Sequence, residues 1–417
     1  MSWTVIDELK KNVYWEDTYN KMVLKKTMTP AEKNELWRIK DILKDEIIEQ
    51  LANDTYKWSI PKKVEIAKGM TNKKRVVYMY SLQDRMVIGA IYRAVTMYHI
   101  ELVSKNCFSY RKGISTCTAI EYIKKENDIK KYRYGVKLDI HAYFNSVSEK
   151  RVHELMDALF NNELGATVSR IMLDNTVEYK GRVINEWKAL VPGCALGSLF
   201  ANACLKPCDD YFIDKECIYA RYSDDIIILS DSKEKLQTYL DKVLNFISSY
   251  GLTMNPDKYT WFEPGDSIEY LGLKLCENGK IDISDHAKYK IKKQIHRWCR
   301  KGRMEMEIDH KPFELVARNI IRRLNYKNFK CYIEFDSTFG WCHYAFRYIN
   351  TTQSLIEIDF YTRDTLRAMK TGRHNKNNVK ALSDEDFKRL GWVSLVDLYK
   401  LYTEDFDYYC EIIELLY

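Results

Sequence analysis

Apolar residues recur along the chain with two periods, one typical of helices and one typical of strands, and their order predicts a mixed α and β protein. A capping-box sequence begins at Thr29, with Pro30 in the first turn and Glu32 three residues after the cap. Behind it, apolar residues at helical spacing form one stripe: Leu36, Ile39, Leu43, Ile47 and Leu51. The pattern predicts one long amphipathic helix over residues 30–53.

Short apolar runs predict the strands. Residues 62–79 flank the basic turn GMTNKKR in a strand-turn-strand pattern, and residues 81–103 have a helical pattern. Strand patterns return at residues 132–140, 217–229 and 268–275, with helical stretches between them. Beyond about residue 285 the pattern is mostly helical.

Composition narrows the class of protein. A chain of 417 residues, 46% of them apolar, can build two or three packed subdomains, and seven prolines and sixteen glycines leave little room for flexible linkers. The first twelve residues mix acidic and basic side chains and no run approaches membrane-spanning length, so we expect a cytoplasmic protein without membrane contact. Eleven irregularly spaced cysteines without a CxxC pair predict reduced core thiols. The net charge is only +7, but clustering of the 66 Lys and Arg residues indicates nucleic acid as a partner.

Three aspartates carry the candidate chemistry. In RYGVKLDI the apolar positions alternate with polar ones, so a half-buried strand ends with Asp139 on the face opposite the apolar set. The segment IYARYSDDIIIL predicts two short strands that meet at a hairpin tip carrying Asp224 and Asp225. If this hairpin lies beside the first strand, three carboxylates converge without histidine or cysteine, and such hard oxygen ligands suit paired Mg²⁺ or Mn²⁺ ions in phosphoryl transfer. The dipeptide Asp209-Asp210 lacks flanking strands, and we assign it no metal role.

Four segments, LDIHAYFNSV, RYSDDIIIL, GLTMNPDKY and EYLGLKL, resemble motifs A, C, D and E of reverse transcriptases, in the family's order. With the part before them, the resemblance covers roughly residues 60 to 280. It implies an α+β right-hand polymerase with fingers, a palm whose antiparallel sheet carries the YxDD hairpin, and a helical thumb and C-terminal region. The implied divisions are an N-terminal helical extension (1–60), fingers (61–131), palm with part of the fingers (132–280), and helical thumb with C-terminal region (281–417).

The resemblance also implies roles at the catalytic centre. Asp139, Asp224, Asp225 and the backbone carbonyl of Ile140 would hold two Mg²⁺ ions, with Mn²⁺ as an alternative. Lys258 of motif D would be a catalytic residue that protonates the departing pyrophosphate. The primer-grip hairpin is matched by three consecutive residues: Tyr270, Leu271 and Gly272.

Further matches concern the incoming nucleotide. Phe144 aligns with the family's steric gate, where an aromatic ring excludes a ribose 2′-hydroxyl and favours dNTPs. Lys74 and Arg75, in TNKKRVV, match the fingers hairpin that grips the triphosphate. Motif B, LVPGCALGSLFAN, keeps Gly193 and Asn202 at the nucleotide site but departs from the family by placing Pro192 where glutamine is expected.

Two basic segments predict nucleic-acid contacts. Eight Lys or Arg residues lie between His286 and Arg303, where the family places the thumb. The predicted duplex contacts in this segment are Lys288, Lys292, Lys293, Arg297 and Arg300. In the later TGRHNKNNVK, Arg373 and Lys376 are predicted to bind a dedicated structured RNA.

Together these features predict an RNA-directed DNA polymerase, a nucleotidyltransferase that copies an RNA template, here an associated noncoding RNA, into cDNA. The tail over residues 371–402 is most similar to bacterial defence-associated reverse transcriptases, with type 2 as the candidate group, and this implies a role against phage. Retron-like, diversity-generating and intron-type enzymes stay open. An RNA-binding protein with an inactive polymerase site stays open as a different class.

Overall fold

The structure is a computed structural model that describes residues 4–24, 28–67, 74–98, 100–126, 132–160, 164–255, 259–276, 278–329, 331–332, 337–338 and 341–415. The chain divides into two compact units. The first contains residues 1–119 and 134–261, and the second contains residues 120–133 and 262–417.

The first unit contains both helices and strands. Its strands are β1 (Lys62–Ala67), β2 (Lys74–Met79), β3 (Tyr134–Asp139), β4 (Thr176–Tyr179), β5 (Arg182–Asn185), β6 (Ile218–Tyr222), β7 (Asp225–Ser230) and β8 (Thr260–Phe262), which ends at the unit boundary. Its helices are α1 (Val5–Leu9), α2 (Asn12–Val23), α3 (Pro30–Asp41), α4 (Lys44–Ala52), α5 (Leu82–Tyr98), α6 (Thr116–Glu126), which crosses the unit boundary, α7 (Tyr143–Ser146), α8 (Glu149–Phe160), α9 (Gly165–Leu173), α10 (Ala195–Cys204), α11 (Lys206–Tyr211) and α12 (Lys233–Ser249). A short 3₁₀ helix, Ile100–Leu102, follows α5.

A four-stranded sheet in the order β6-β7-β3-β8 forms the centre of the first unit. The β6–β7 hairpin and the β7–β3 pair are antiparallel, and the register sets Val136 opposite Ile228 and Leu138 opposite Ile226. All four of these side chains are fully buried, and α12 packs against both β7 and β3. The predicted strand ending at Asp139 and the predicted hairpin after Cys217 are therefore confirmed, and they lie side by side.

The second sheet of this unit has the order β2-β1-β4-β5. Strands β1 and β2 pair antiparallel, as the strand-turn-strand pattern predicts, and their connecting turn lies outside the described residues. Strands β4 and β5 form a second antiparallel hairpin, which joins β1 through one parallel pairing between Lys62 and Glu178.

The predicted single helix over residues 30–53 is wrong in its continuity. The capping box at Thr29 and Glu32 is present, but α3 ends at Asp41 and α4 begins at Lys44. The buried Lys40 ammonium is held by Glu16 of α2 and by Asp41 at the end of α3. Leu36 and Ile39 on α3 and Ile47 and Leu51 on α4 belong to the same core, on both sides of the break.

The second unit is mostly helical, as predicted. A three-stranded antiparallel sheet, in the order β11-β10-β9, contains β9 (Ser267–Tyr270), β10 (Leu273–Cys276) and β11 (Ile281–Ile283), and β12 (Cys331–Tyr332) pairs with β13 (Ser337–Thr338). The helices are α13 (Asp285–Ile308), α14 (Phe313–Phe329), α15 (Trp341–Tyr348), α16 (Gln353–Thr371), α17 (Asp384–Arg389), α18 (Leu395–Glu404) and α19 (Phe406–Leu415), with a 3₁₀ helix at Lys376–Ala381. Both α14 and α16 pack against α13, and Gly302 allows the close approach, because a Cβ there would lie 2.7 Å from Val316 and 3.0 Å from Met369.

The predicted fold class is confirmed as mixed α+β with antiparallel sheets. Membrane-crossing helices are absent from the described ranges, because none of the helices there combines the necessary length and apolarity.

Candidate active site

Two predicted metal ligands are direct neighbours in the central sheet. Asp139 ends β3, Asp225 begins β7, and the two residues are register partners. Ile140 N donates to Asp224 O (3.2 Å), so Ile140 and Asp224 form a hydrogen-bonded pair. Because hydrogen-bonded and non-hydrogen-bonded pairs alternate along antiparallel strands, the adjacent pair, Asp139 and Asp225, is non-hydrogen-bonded. Side chains of such a pair stand on the same face with Cβ atoms about 4.5–5.5 Å apart. The fold thus brings these two carboxyl groups together.

Lys137 brings a positive charge to this pair. Lys137 lies two residues before Asp139 on the same face, and its Nζ is 3.6 Å from Asp225 Oδ1. The Asp139 side chain is buried to 8% exposure, whereas about a third of the Asp225 side chain is exposed. One carboxylate of the pair therefore reaches solvent.

Asp224 occupies the tip between β6 and β7. The tip has two residues, Ser223 and Asp224, between the paired Tyr222 and Asp225. Ser223 has a φ of 62°, a left-handed conformation at the turn position where glycine is favoured. Three contacts hold it: Ser223 N donates to Ser109 Oγ (3.0 Å), its carbonyl accepts from Arg221 Nη1 (3.0 Å), and its hydroxyl lies 3.1 Å from the Tyr110 hydroxyl.

A fully buried ion pair lies beneath this turn. Arg221 on β6 donates through Nε and Nη2 to both carboxyl oxygens of Asp209 on α11, at 2.6 to 3.1 Å. Tyr219 adds a hydrogen bond from its hydroxyl to Asp209 Oδ1 (2.8 Å). Both charged side chains have no exposed surface. A buried charge without its partner is costly, so this pair fixes β6, and with it the turn, on α11.

Sequence reasoning missed this role of Asp209. The sequence shows the Asp209-Asp210 dipeptide but does not predict an ion pair for it. In the structure the Asp209 carboxylate binds Arg221 and Tyr219. Its partner lies twelve residues away on another element, and neither spacing nor composition marks the two as a pair.

Asn202 of motif B joins the same buried network. Its amide donates to the Ser109 carbonyl (2.7 Å) and its carbonyl oxygen accepts from the Ser109 hydroxyl (3.0 Å). Its backbone carbonyl accepts from Arg221 Nη2 (3.1 Å). Because its side chain is 1% exposed and its described contacts are internal, Asn202 supports the turn from below.

Phe144, the predicted steric gate, lies on the short helix α7. The helix follows Ala142, which has a φ of 47°. The Phe144 ring is partly buried and makes edge contacts with Tyr110 and Tyr143, each at 5.9 Å between centroids. Tyr143 is itself fixed by a 2.6 Å hydrogen bond to the Ala201 carbonyl.

The motif B loop is strained and connects α7 to β2. Ala189, Val191 and Gly193 all have positive φ, at 47°, 47° and 98°. Leu190 N donates to the Phe144 carbonyl (3.0 Å), and the carbonyl of Pro192 accepts from Tyr78 N (2.8 Å). Pro192, which replaces the family's glutamine, thus uses its carbonyl to bind β2, and its ring has no donor for a nucleotide.

Two positions in and after this loop, Gly193 and Gly197, require glycine. A Cβ on Gly193 would lie 3.2 Å from Val77 Cβ and 3.3 Å from Tyr78 O, and one on Gly197 would overlap the Leu190 carbonyl oxygen. Lys188, just before the loop, is almost completely buried, and burial lowers its pKa.

The two predicted fingers cations differ in environment. Lys74 pairs with Glu65 on β1 (2.7 Å), and this hydrogen bond raises the pKa of Lys74. Strand alternation turns Arg75 to the other face of β2, which it shares with Val77, the neighbour of Gly193. No ion pair joins Arg75 to the residues that the structure describes, so it is the more available of the two cations.

In the second unit, Tyr270, Leu271 and Gly272 form a tight hairpin, as predicted. Leu271 and Gly272 both have positive φ, as a two-residue turn of this kind requires. The Leu271 carbonyl accepts from the Tyr344 hydroxyl (2.9 Å), and the Gly272 carbonyl accepts from Ser284 N (2.9 Å). Lys258 of motif D lies outside the described residues.

The predicted cations of α13 divide between two faces. Lys288 and Lys292 both bind Glu357 of α16, at 3.2 and 3.4 Å, on the side of the helix that packs. Lys293, Arg297 and Arg300 are more than 90° around the helix from the buried Ile295, on the side away from the core. In the second group Arg297 and Arg300 are exposed, and Lys293 is half-buried.

The later basic segment follows α16. Arg373 and His374 are exposed, with His374 Nδ1 3.2 Å from Asp364 Oδ2. Lys376 begins the 3₁₀ helix Lys376–Ala381, and its side chain lies outside the described part of the structure.

Asp139 and Asp225 can supply part of the ligand set of a hard divalent cation. In the described ranges, no three His, Cys, Asp or Glu side chains are grouped to hold a metal ion by themselves. Mg²⁺ commonly uses one or two carboxylates together with water and substrate phosphates, and Asp139 and Asp225 supply that many. Ile140 N donates to Asp224 O (3.2 Å), while His141 N donates to Thr253 O and Asn255 N donates to Asp139 O, so the backbone of Ile140 faces the turn that carries Asp224.

Comparison with known proteins agrees with the sequence motifs. Residues 60–275, more than half of the chain, match the family described as reverse transcriptase (RNA-dependent DNA polymerase). Among solved structures, apo telomerase from Candida tropicalis, truncated from its C-terminal domain, is similar at 13% identity and a TM-score of 0.43, over 54% of this chain and 55% of that chain. Telomerase from Candida albicans, in complex with the TWJ fragment of telomeric RNA, is similar at 13% identity and a TM-score of 0.44, over 92% of this chain and 70% of that chain.

Proposed function

Because the chain belongs to the reverse transcriptase family of RNA-dependent DNA polymerases, we propose that it copies an RNA template into DNA at the carboxylate pair Asp139 and Asp225. The observation that carries the proposal is the register of β3 and β7, which sets these two aspartates side by side next to Asp224. We propose Asp139, Asp224 and Asp225 as the metal ligands, as the resemblance implies.

The residues around the pair suit nucleotidyl transfer. Asp139, Asp224 and Asp225 would hold divalent ions, whose chemistry would be to lower the pKa of a primer 3′-hydroxyl and to neutralise the charge of the departing pyrophosphate. The protein's own part would be positioning: the β6–β7 hairpin holds Asp224 and Asp225, and the exposed Arg75 would bind a triphosphate through its guanidinium. Lys258 is proposed to donate a proton to pyrophosphate.

Phe144 supports DNA as the product. Its ring is partly exposed, and it lies on α7, five residues beyond Asp139 at the end of β3. A ring at this position would clash with a ribose 2′-hydroxyl, so dNTPs are the proposed substrates.

One assay tests this function. A labelled primer annealed to an RNA template is incubated with the full chain, dNTPs and Mg²⁺, with parallel reactions containing Mn²⁺ or EDTA. We expect extension with either metal and none with EDTA. If the folded protein binds the primer-template but never extends it, the polymerase proposal is wrong, and an RNA-binding protein with an inactive site takes its place.

For the biological role, we propose that the template is an associated, structured noncoding RNA and that the cDNA acts in defence against phage. Two features support this proposal: the exposed basic segment after α16, which a duplex-tracking thumb does not need, and the resemblance of residues 371–402 to defence-associated enzymes. Retron-like, diversity-generating and intron-type roles are the alternatives.

Sequencing of RNA crosslinked to the protein in its native host tests the dedicated template. We expect one dominant species, whose enrichment falls in an Arg373→Gln, Lys376→Gln double variant. A Lys388→Gln, Arg389→Gln double variant removes the same charge from exposed positions on α17 and should keep the enrichment. A broad sample of cellular RNA bound by the wild type would identify a general-template polymerase.

A further inference from the structure

The segment Phe108–Tyr110 lies directly against the YxDD turn. The buried Ser109 accepts a hydrogen bond from Ser223 N and is locked to Asn202 through both its hydroxyl and its carbonyl. Phe108 N donates to the Arg221 carbonyl (2.8 Å). The segment is therefore fixed to the turn by backbone and side-chain bonds.

Tyr110, the last residue of this segment, makes two contacts at the site. Its hydroxyl lies 3.1 Å from the Ser223 hydroxyl, and its ring meets the Phe144 ring edge to face, with 5.9 Å between centroids and an interplanar angle of 83°. The Tyr110 side chain thus contacts both the turn that carries Asp224 and Phe144, the predicted steric gate.

The conformation of Tyr110 is strained and held from several sides. Its φ of 53° is unfavourable for a bulky residue and persists only where the surroundings fix it. Tyr92 donates a hydrogen bond to its carbonyl, and Ser109 anchors the residue before it. The residue still has 40% of its surface exposed, so a nucleotide can reach it.

We propose that Tyr110 is a specificity-determining residue for the sugar of the incoming nucleotide. The inference rests on the polymerase function proposed above and extends it. Phe144 lies on a helix of only four residues, Tyr143–Ser146, so its ring depends on neighbours for a fixed position. Tyr143 is anchored to Ala201, and Tyr110 is anchored to Ser223. Tyr110 therefore sets the position of the gate relative to the aspartates of the turn, and its loss lets the ring move away from a 2′-hydroxyl.

The test is the ratio of kcat/KM for a dNTP to kcat/KM for the matching rNTP, measured in primer extension with the full chain. Tyr110→Leu removes ring and hydroxyl, and we expect the ratio to fall by about three- to tenfold, the scale of one aromatic pair. Tyr110→Phe keeps the ring and loses only the hydroxyl, so its fall should be smaller. Ser223→Ala should give the same change as Tyr110→Phe, and the double variant should add nothing further.

Controls separate the possible failures. A general loss of structure lowers the use of dNTP and rNTP together and leaves the ratio unchanged, whereas a displaced gate changes the ratio. Tyr408→Leu truncates another exposed tyrosine, on α19, and should leave the ratio at the wild-type value. If Phe144→Ala abolishes discrimination while Tyr110→Leu keeps the wild-type ratio, the role of Tyr110 is wrong and the polymerase function stands. If the wild type extends no primer at all, the polymerase function itself fails.

Discussion

Asp139 and Asp225 stand on the same side of the sheet because they are register partners, and two negative charges are therefore placed side by side. Lys137 Nζ lies 3.6 Å from Asp225 Oδ1. A cation between the carboxylates would relieve their repulsion, which is the physical basis for expecting the divalent ions here.

We expect Asp139→Ala and Asp224→Ala to lower DNA synthesis by about a thousandfold or more, the scale on which the parts of phosphoryl-transfer sites matter. Neither change should unfold the protein, because each removes a group that contributes like-charge repulsion. Asp214→Ala, at an exposed position after α11, is the matched control and should keep wild-type activity. Near-normal extension by a folded Asp224→Ala protein would reject the metal assignment.

Phe144→Val should admit ribonucleotides, because it removes a clash and adds no attraction. The preference for dNTPs over rNTPs should fall by about tenfold or more, while dNTP use falls less. The measurement is single-nucleotide extension with each substrate at several concentrations. An unchanged preference would place the gate at another residue.

At the residue scale, sequence could identify groups whose role depends on local pattern. Asp139 was found from strand alternation, and Asp224 from the two short strands around it. Asp209 was missed, because its ion pair with Arg221 depends on how α11 and β6 pack. The same limit applies to Lys74, whose partner Glu65 becomes its neighbour only when β1 and β2 pair.

Elements around the site are held in strained conformations by buried polar groups. Ser223 and Tyr110 both have positive φ, and the strand that leads into the turn is fixed by the Arg221–Asp209 pair. Strain of this kind persists only when neighbouring contacts over-determine it. The buried pair is thus a condition for the geometry of the YxDD turn.

Asp209→Asn should destabilise the first unit by about 3–5 kcal/mol, because it leaves the Arg221 guanidinium buried without a counter-charge. For a unit of this size, the thermal midpoint should fall by roughly 6–20 °C. Asp210→Asn is a control from the same dipeptide: it loses only a partly exposed ion pair with Lys206 and should cost about 1 kcal/mol or less.

Thermal unfolding followed by circular dichroism measures both variants. Equal midpoints for Asp209→Asn and Asp210→Asn would show that the buried pair does not stabilise the unit. Primer extension below the midpoint should also fall for Asp209→Asn, since the turn loses its support.

Element prediction succeeded where the determinants are local. The capping box at Thr29 and the hairpin at Leu271 and Gly272 follow from residues within a few positions of one another. At the break between α3 and α4, Lys40 has a distant partner, because it is bound by Glu16 on α2, 24 residues earlier. Periodicity continues through the break because both helices face one core, so the pattern alone predicts a single helix.

On the scale of the whole molecule, the chain forms two units, and each contains part of the predicted machinery. The aspartates, Phe144 and the motif B loop are in the first unit, and the primer-grip hairpin and α13 are in the second. The boundaries predicted for fingers, palm and thumb stay a prediction. Glu357 lies 65 residues or more from Lys288 and Lys292, so sequence alone treats these lysines as equivalent to the other cations of α13.

The two faces of α13 give the final prediction. Lys293→Gln with Arg297→Gln removes two cations from the face away from the core, whereas Lys288→Gln with Lys292→Gln removes the same charge from the face bound to Glu357. If α13 tracks a duplex backbone, the first double variant should weaken binding to any primer-template. It should also flatten the slope of log affinity against log salt by roughly 0.7–0.9 for each lost phosphate contact.

Fluorescence anisotropy with a labelled primer-template, at salt concentrations from about 50 to 200 mM, measures both slopes. The Lys288, Lys292 variant should keep the wild-type slope, because those ammonium groups are already paired within the protein. Equal flattening by both variants would mean that net charge alone governs binding. An unchanged slope in the Lys293, Arg297 variant would mean that the duplex does not contact the solvent face of α13.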